Sequence, residues 1–346
     1  MKPLAESDSF AVTPYYYLPG SDIHGDTISS VIESAAFELD SVGVSQYLNK
    51  APDGTRTCFQ GISKLPPNQR LLLVNGELTT EKLPPIRLSS HNLRNLLVQA
   101  LIEATAGYSC YGLALSGGLD SALVLSLLRE AGIENIEVYT LATGMQGYCE
   151  LEISKQTAKY FGVKLNIIHA TDTDFINALP EVIKSIETPI YNLHPVSKLL
   201  LARAMKADGI DCIITGDAAD QAFSGSPAAN YLPLVGAIMR DQEIGYVSPF
   251  FNKHVVAYGE SVSDENKTTL RKLSFSLVPT FLQNQQKRPR FAPDFNISRY
   301  WNPQNINWIS DHLNMTPDIQ TEASRTLWTT LGMLSQNLLR DKLCAA

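Results

Sequence analysis

A hydroxyl, two glycines and a carboxylate stand close together in Ser116-Gly117-Gly118-Leu119-Asp120-Ser121, directly after the apolar run Tyr111-Gly112-Leu113-Ala114-Leu115. Glycine tolerates positive φ, a tight turn at a strand end aims backbone N–H groups outward, and the helix start beyond it favours an anion. Those parts suit the pyrophosphate portion of a nucleotide. The segment lacks the Gly-Lys-Ser/Thr of a Walker A loop and the Gly-x-Gly-x-x-Gly of a dinucleotide turn. A purely structural turn needs only the glycine pair and leaves Asp120 and the flanking hydroxyls unexplained. Downstream, Thr215-Gly216-Asp217-Ala218-Ala219-Asp220 again combines hydroxyl, glycine and carboxylate. Two acids on separate loops, Asp120 and Asp220, can hold Mg²⁺ against a triphosphate, because that ion takes a few hard oxygens and completes its shell from phosphate and water. Helix capping would account for Asp120 but not for its counterpart.

These loops need elements to hold them. From Ser89 onward the periodicity predicts a helix from Asn92 to Ala106, a strand from Tyr111 to Leu115 and a helix from Asp120 to Ala131. A strand from Glu137 to Leu141, a helix from Leu151 to Phe161, a strand from Lys164 to Ile168, a helix from Ser197 to Ala207 and a strand from Cys212 to Thr215 follow. Alternation of this kind predicts an α/β fold with a doubly wound parallel sheet, whose ligands lie beyond the carboxyl ends of the strands, where Ser116 and Thr215 fall. Lys267 to Gln285 and Thr321 to Lys342 are expected C-terminal helices. Residues 1–88 carry short apolar runs bounded by turn formers, such as Tyr15-Tyr16-Tyr17-Leu18 and Arg70-Leu71-Leu72-Leu73-Val74 before Asn75-Gly76, and read as β-rich. Leu83-Pro84-Pro85-Ile86 reads as a linker, which sets an expected boundary between domains 1–88 and 89–346.

Ser-Gly-Gly-Leu-Asp-Ser after an apolar strand resembles the pyrophosphate loop of the N-type ATP pyrophosphatases, and in particular of the asparagine synthetase family. Thr215 to Gly225 is similar to that family's S/T-G-E/D-G-A-D-E-x-F-G-G segment, Tyr246 to Asn252 to its R-x-P-F-L-D stretch, and Lys267 to Lys287 to its K-x-x-L-R…L-P…R-x-K element. Their collinearity over residues 89–295 is more specific than any one piece. The resemblance implies an adenine nucleotide alpha hydrolase-like sheet with ATP and Mg²⁺ as cofactors. It implies Ser116, Gly117, Gly118 and Ser121 around pyrophosphate, Leu115, Thr143 and Gly216 along the adenosine, Thr215 in the same nucleotide site, and Asp120 and Asp220 on the metal. Asp217 stands where the family has a glutamate used to form and consume the adenylate, and where a β-lactam-forming relative has tyrosine. Lys287 matches a lysine that approaches the intermediate, Glu243 falls where some relatives supply a base, and Arg271 fits either structure or phosphate.

Leu39 to Pro67, through Arg56-Thr57-Cys58-Phe59-Gln60-Gly61-Ile62, is similar to the end of the family's glutamine-hydrolysing domain. That family's nucleophile is a cysteine directly after the initiator Met, where Lys2 stands here, so residues 1–88 are expected to be an inactive remnant. The expected function is ATP-dependent adenylation of a small-molecule or peptide carboxylate, followed by amide or lactam formation with ammonia or another amine. The nitrogen would come from solution, from a separate glutaminase or from the substrate itself, and natural-product synthesis is the favoured setting; a homo-oligomer remains open. An ammonia-dependent asparagine synthetase, a PP-loop tRNA-modifying enzyme and a non-catalytic nucleotide-binding protein are the alternatives.

The bulk composition narrows the classes. The formal charge of −7 and the absence of a long basic run argue against nucleic acid as a partner. Five cysteines, widely spaced and without a C-x-x-C pair, read as reduced thiols, and the six histidines show no motif spacing. No signal-like or membrane-spanning apolar stretch occurs, so a cytoplasmic location without membrane contact is expected.

Overall fold

The computed structural model describes residues 2–32, 38–88, 92–145, 149–224, 231–262, 266–283 and 296–345. Its centre is a parallel sheet of β1 (Tyr111–Ala114), β2 (Ile136–Ala142), β3 (Leu165–His169), β4 (Cys212–Ile214) and β5 (Gly245–Val247). The spatial order is β5-β4-β1-β2-β3, and every neighbouring pair runs parallel. The chain moves outward from β1 to β3 and then returns to β1's other side, which opens a crevice at the carboxyl ends of β1 and β4. Parallel strands need crossovers, and helices supply them: α1 (Leu93–Thr105), α2 (Leu119–Glu130), α3 (Leu151–Phe161), α4 (Asp172–Ile186) and α5 (His194–Ala207).

The doubly wound sheet and the α1, α2, α3 and α5 helices agree with the periodicity to within a few residues. Helix α4 is not among the expected ones, although Phe175, Ala178, Leu179, Val182 and Ile183 give it a buried stripe and a Thr171–Asp174 capping box starts it. Beyond the second loop follow α6 (Ala219–Ser224), α7 (Leu232–Asp241), α8 (Lys253–Val262) and α9 (Thr268–Ser274). The single helix expected over Lys267 to Gln285 is instead α9 and a short turn of helix at Thr280–Gln283. Pro279 lies between them, and proline removes an N–H while biasing the residue before it away from helical geometry.

Before residue 88 the strands Ala5–Glu6, Gln69–Val74 and Glu77–Lys82 make one antiparallel sheet and His24–Gly25, Tyr16–Tyr17 and Ser63–Lys64 another. Asn75 and Gly76, both at positive φ, turn the longer hairpin. This β-rich region shares a core with the rest of the chain. Ile28, Val31, Leu39 and Phe59 sit in one apolar cluster with Phe175, Leu179 and Val182 of α4 and with Trp328 and Leu331 of the C-terminal helix Glu322–Ala345. Glu187 adds a polar tie: its carboxylate accepts the Ser29 N–H at 2.9 Å, and also the Ile28 N–H and the Ser29 hydroxyl. Burial pushes this carboxyl's pKa up, and the donors hold it back.

Removing that acceptor strands buried donors on the short helix Ile28–Ile32. Glu187→Ala is expected to cost about 2–3 kcal/mol in a denaturant melt and to speed proteolysis within residues 2–32, with Glu187→Gln costing less because its carbonyl still accepts. Equal stability of Glu187→Ala and the parent chain would contradict the tie.

Candidate active site

The glycine loop is held from inside. Ser121 is 2% exposed, and its Oγ accepts the Ser116 N–H at 3.2 Å and donates to the Gly118 carbonyl at 3.2 Å. The Thr140 hydroxyl donates to Ser154 Oγ at 3.1 Å, which donates to the Leu115 carbonyl at 3.2 Å. Gly117 has φ 67°, and a Cβ there would lie 3.1 Å from Glu150 Cβ. Gly118 is the N-cap of α2 and offers no side-chain capping bond. The first-turn N–H groups of a twelve-residue helix therefore face the crevice uncapped by a side chain, with the dipole's positive end behind them.

The second loop leaves β4 alongside the first. Thr215 N–H donates to the Val247 carbonyl at 3.0 Å, which prolongs the β4–β5 ladder. Gly216 then meets the start of α2 so closely that a Cβ would lie 2.8 Å from Asp120 C and from Ser121 N. Ala218 takes φ 73°, a left-handed conformation that costs a residue with a Cβ about 1–2 kcal/mol. Asp217 is a hub. Its Oδ2 accepts from Lys198 Nζ at 2.7 Å and from the Tyr246 hydroxyl at 2.7 Å, and its carbonyl accepts from Ser248 Oγ at 2.7 Å. Burial and the adjacent Asp217 hold the Tyr246 phenol well above its usual range, so it stays a neutral donor.

Asp120 and Asp220 converge on one lysine. Lys267 Nζ lies 2.9 and 2.8 Å from the two oxygens of Asp120 and 2.8 Å from Asp220 Oδ1. Asn266 and Lys267, both at positive φ, start α9 and seat this nearly buried side chain. Burial alone would draw protons off the ammonium, but the two carboxylates outweigh it and raise its pKa. Among the described residues no group of three or more acid, histidine or cysteine ligands gathers anywhere. Two carboxylates only half offset by one ammonium fit a Mg²⁺ that arrives with phosphate oxygens of its own rather than one bound alone.

These groups border a cleft of about 590 Å³, within the usual range for a small-molecule site. Leu115, Ser116, Gly118, Asp120, Ser121, Thr215, Gly216, Asp217 and Asp220 all line it, so the structure brings the two sequence motifs together. Thr143 follows the end of β2 at the same edge of the sheet. Glu243 does not join them: it precedes β5, at the sheet's opposite edge, with its side chain 85% exposed and 3.3 Å from Lys206. Lys287 and the stretch 225–230 lie outside the described residues. Arg271 donates to the Asn266 carbonyl at 3.2 Å and so braces α9.

Sequence reading passed over the helix face His194, Ser197, Lys198 and Leu201, which also lines the cleft. Its spacing of three, four and seven is the only signal it leaves, and a mixed polar and apolar face does not distinguish a site from a surface. His194 Nε2 lies 2.8 Å from the Tyr231 hydroxyl with the rings stacked at 4.9 Å, and Lys198 Nζ sits 5.9 Å from the Tyr231 ring centre.

Residues 92–346 match the family described as asparagine synthase. Among curated proteins, the glutamine-hydrolyzing asparagine synthetase 3 of Arabidopsis thaliana is 31% identical over 144 residues, 38% of this chain and 25% of that protein. Asparagine synthetase 2 of the same plant is 27% identical over 233 residues, 64% of this chain and 38% of that protein, and asparagine synthetase 2 of Oryza sativa is 30% identical over 157 residues, 42% of this chain and 26% of that protein. The chain thus spans well under half the length of these relatives. A solved structure of NMN synthetase from Francisella tularensis covers 71% of this chain and 92% of its own at 14% identity, with a TM-score of 0.35.

The backbone contact at Gly216 leaves no room for a methyl group. Gly216→Ala is expected to cost about 1–3 kcal/mol in denaturant melts, whereas Gly54→Ala, with nothing within 4 Å of the added Cβ, should stay within about 0.5 kcal/mol. Equal melts for the two variants would show that the loops are not in contact.

Proposed function

The chain belongs to the asparagine synthase family, and from that premise we propose that it is an ATP-dependent ligase that adenylates a substrate carboxylate and joins it to an amine. The observation that carries this reading is the meeting of the glycine loop and the Asp217–Asp220 loop at the carboxyl ends of adjacent strands, over one cleft. A carboxylate oxygen of the substrate attacks the α-phosphorus of ATP, the bond from that phosphorus to its bridging oxygen breaks, and pyrophosphate leaves. An amine nitrogen then attacks the acyl carbon, AMP departs with the bonding pair, and the nitrogen gives up a proton.

The loop N–H groups of Gly117 and Gly118 and the first turn of α2 receive the terminal phosphates, while Leu115, Thr143 and Gly216 border the adenosine. Ser121 works by holding the loop in shape, Ser116 and Thr215 by bringing hydroxyls to the same edge. A magnesium ion would neutralise phosphate charge, and Asp120 and Asp220 are the residues that would hold it. Lys267 partly offsets that acid pair beforehand and faces the phosphates once they bind. Asp217 is already bonded to Lys198 and Tyr246, so it acts by positioning the Lys198 ammonium beside developing negative charge rather than as an unattached base. Lys287 is assigned to the later acyl transfer on the strength of the motif alone.

The reading is tested by supplying α-labelled ATP with a panel of amino acids, diacids and peptides, with and without ammonia. Carboxylate-dependent AMP and pyrophosphate are expected, and formation of ADP in their place would refute adenylation. Turnover without added ammonia would place the amine inside the substrate. Asp120→Asn and Lys267→Met are each expected to lower pyrophosphate release about 100-fold or more with an unchanged circular dichroism spectrum, on the scale of a lost transition-state electrostatic contact. Unchanged turnover in Asp120→Asn would favour a non-catalytic nucleotide-binding role.

A further inference from the structure

Behind the cleft wall, where the β-rich N-terminal region meets the sheet domain, lies a separate, partly open cavity of about 20 Å³. Tyr16, Tyr47, Arg56 and Lys64 line it from the N-terminal side, and Thr188 and Pro233 from the other. Lys64 is 7% exposed and Tyr16 is 7% exposed. Among the described residues neither the Lys64 ammonium nor the Tyr16 hydroxyl has a hydrogen-bond partner and no acidic side chain lines the cavity, although the charges of Asp53 and Glu187 reach Lys64 and Tyr16 respectively. A buried ammonium left without a counter-charge is strongly unfavourable. The Arg56 guanidinium brings a second positive charge, with its Nε held by Asp40 at 2.9 Å.

Asp53 and Glu187, the described acids whose charge reaches Lys64 and Tyr16, form their hydrogen bonds elsewhere. Asp53 accepts from the backbone N–H groups of Thr55 at 2.8 Å and Arg56 at 2.6 Å and from Gln46 at 3.0 Å. Glu187, between two chain neighbours that line the cavity, turns its carboxylate to Ile28 and Ser29. The Thr188 hydroxyl donates to the Tyr47 oxygen at 3.2 Å, which leaves the Tyr47 proton to be given away. Burial draws the Lys64 pKa down to about 8, with Asp53 opposing, so the side chain is still charged at neutral pH. The walls therefore present donors and positive charge to a space that can hold a single atom or ion somewhat larger than a water's minimum of roughly 10–15 Å³.

We propose that this cavity is a binding site for one small monovalent anion of chloride size, seated between Lys64, Tyr16 and Tyr47 at the seam of the two parts of the chain. The anion supplies a counter-charge in direct contact with the ammonium, which no acid among the described residues provides, and fastens the N-terminal region to the sheet domain. The inference rests on no reading of the cleft and stands or falls apart from the ligase assignment.

Melting curves of the full chain in sodium chloride and in sodium gluconate, at equal ionic strength of about 200 mM, test it. Chloride is expected to raise the melting temperature by about 2 °C or more, and Lys64→Met to melt alike in both salts. Identical melting of the parent chain in the two salts, or a chloride response that survives in Lys64→Met, would overturn the site and leave the cavity to water. If Lys64→Met fails to fold, crystals of the parent chain soaked in sodium bromide decide: an anomalous peak beside Lys64 Nζ sustains the proposal, and its absence ends it.

Discussion

Gly216 touches the start of α2 backbone to backbone, and the site depends on that contact. Because no side chain intervenes, the loop after β4 can lie flush against the loop after β1, and two acids more than ninety residues apart in the chain reach the same lysine. The strand order makes the contact available, since β4 and β1 are neighbours only because the chain reverses direction across β1. Ala218 shows what the arrangement costs. A residue with a Cβ holds a left-handed conformation there, and it is tolerated because Thr215 is fixed on β5, Gly216 against α2, and Asp217 by Lys198 of α5 and Ser248.

Charge in the cleft is partly offset by ion pairs. Asp120 and Asp220 share Lys267, and Asp217 has Lys198, so the pocket carries three carboxylates and two ammonium groups from these five residues alone. The two ammonium groups stand apart: Lys267 lies against Asp120 at the end of the glycine loop, and Lys198 lies against the Tyr231 ring and shares Asp217 with Tyr246 of β5. Asp120 itself lies in the first turn of α2, so the uncapped helix start, the acid pair and Lys267 meet at one place on the rim of the cleft.

The N-terminal residues are more than an appendage to this site. Their apolar side chains fill the same cluster as α4 and the C-terminal helix, and Glu187, at the end of α4, ties them by hydrogen bonds. The helices that line the cleft on one face therefore rest, on the other, against a region whose sequence reads as a separate unit.

Much of the sheet domain was legible because parallel strands buried on both faces leave unbroken apolar runs, and because glycine, serine and aspartate at a strand end have few other uses. Thr215 to Asp220 could be read beside Ser116 to Ser121 for the same reason. Lys198, His194 and Tyr231 could not be read as site residues, since such side chains look the same in sequence whether they meet solvent or a carboxylate, and Lys267, though it heads a motif, gave no sign that it would meet Asp120 and Asp220. Glu243 illustrates the converse: a plausible acid near β5 lies at the wrong end of the strand, which a string of letters does not reveal. Local chemistry and periodicity, which act over a turn or a strand, were determined by the sequence alone. Which charges pair, and which halves of the chain share a core, was decided only when folding brought distant residues within a few ångströms, the range over which hydrogen bonds and buried ion pairs operate.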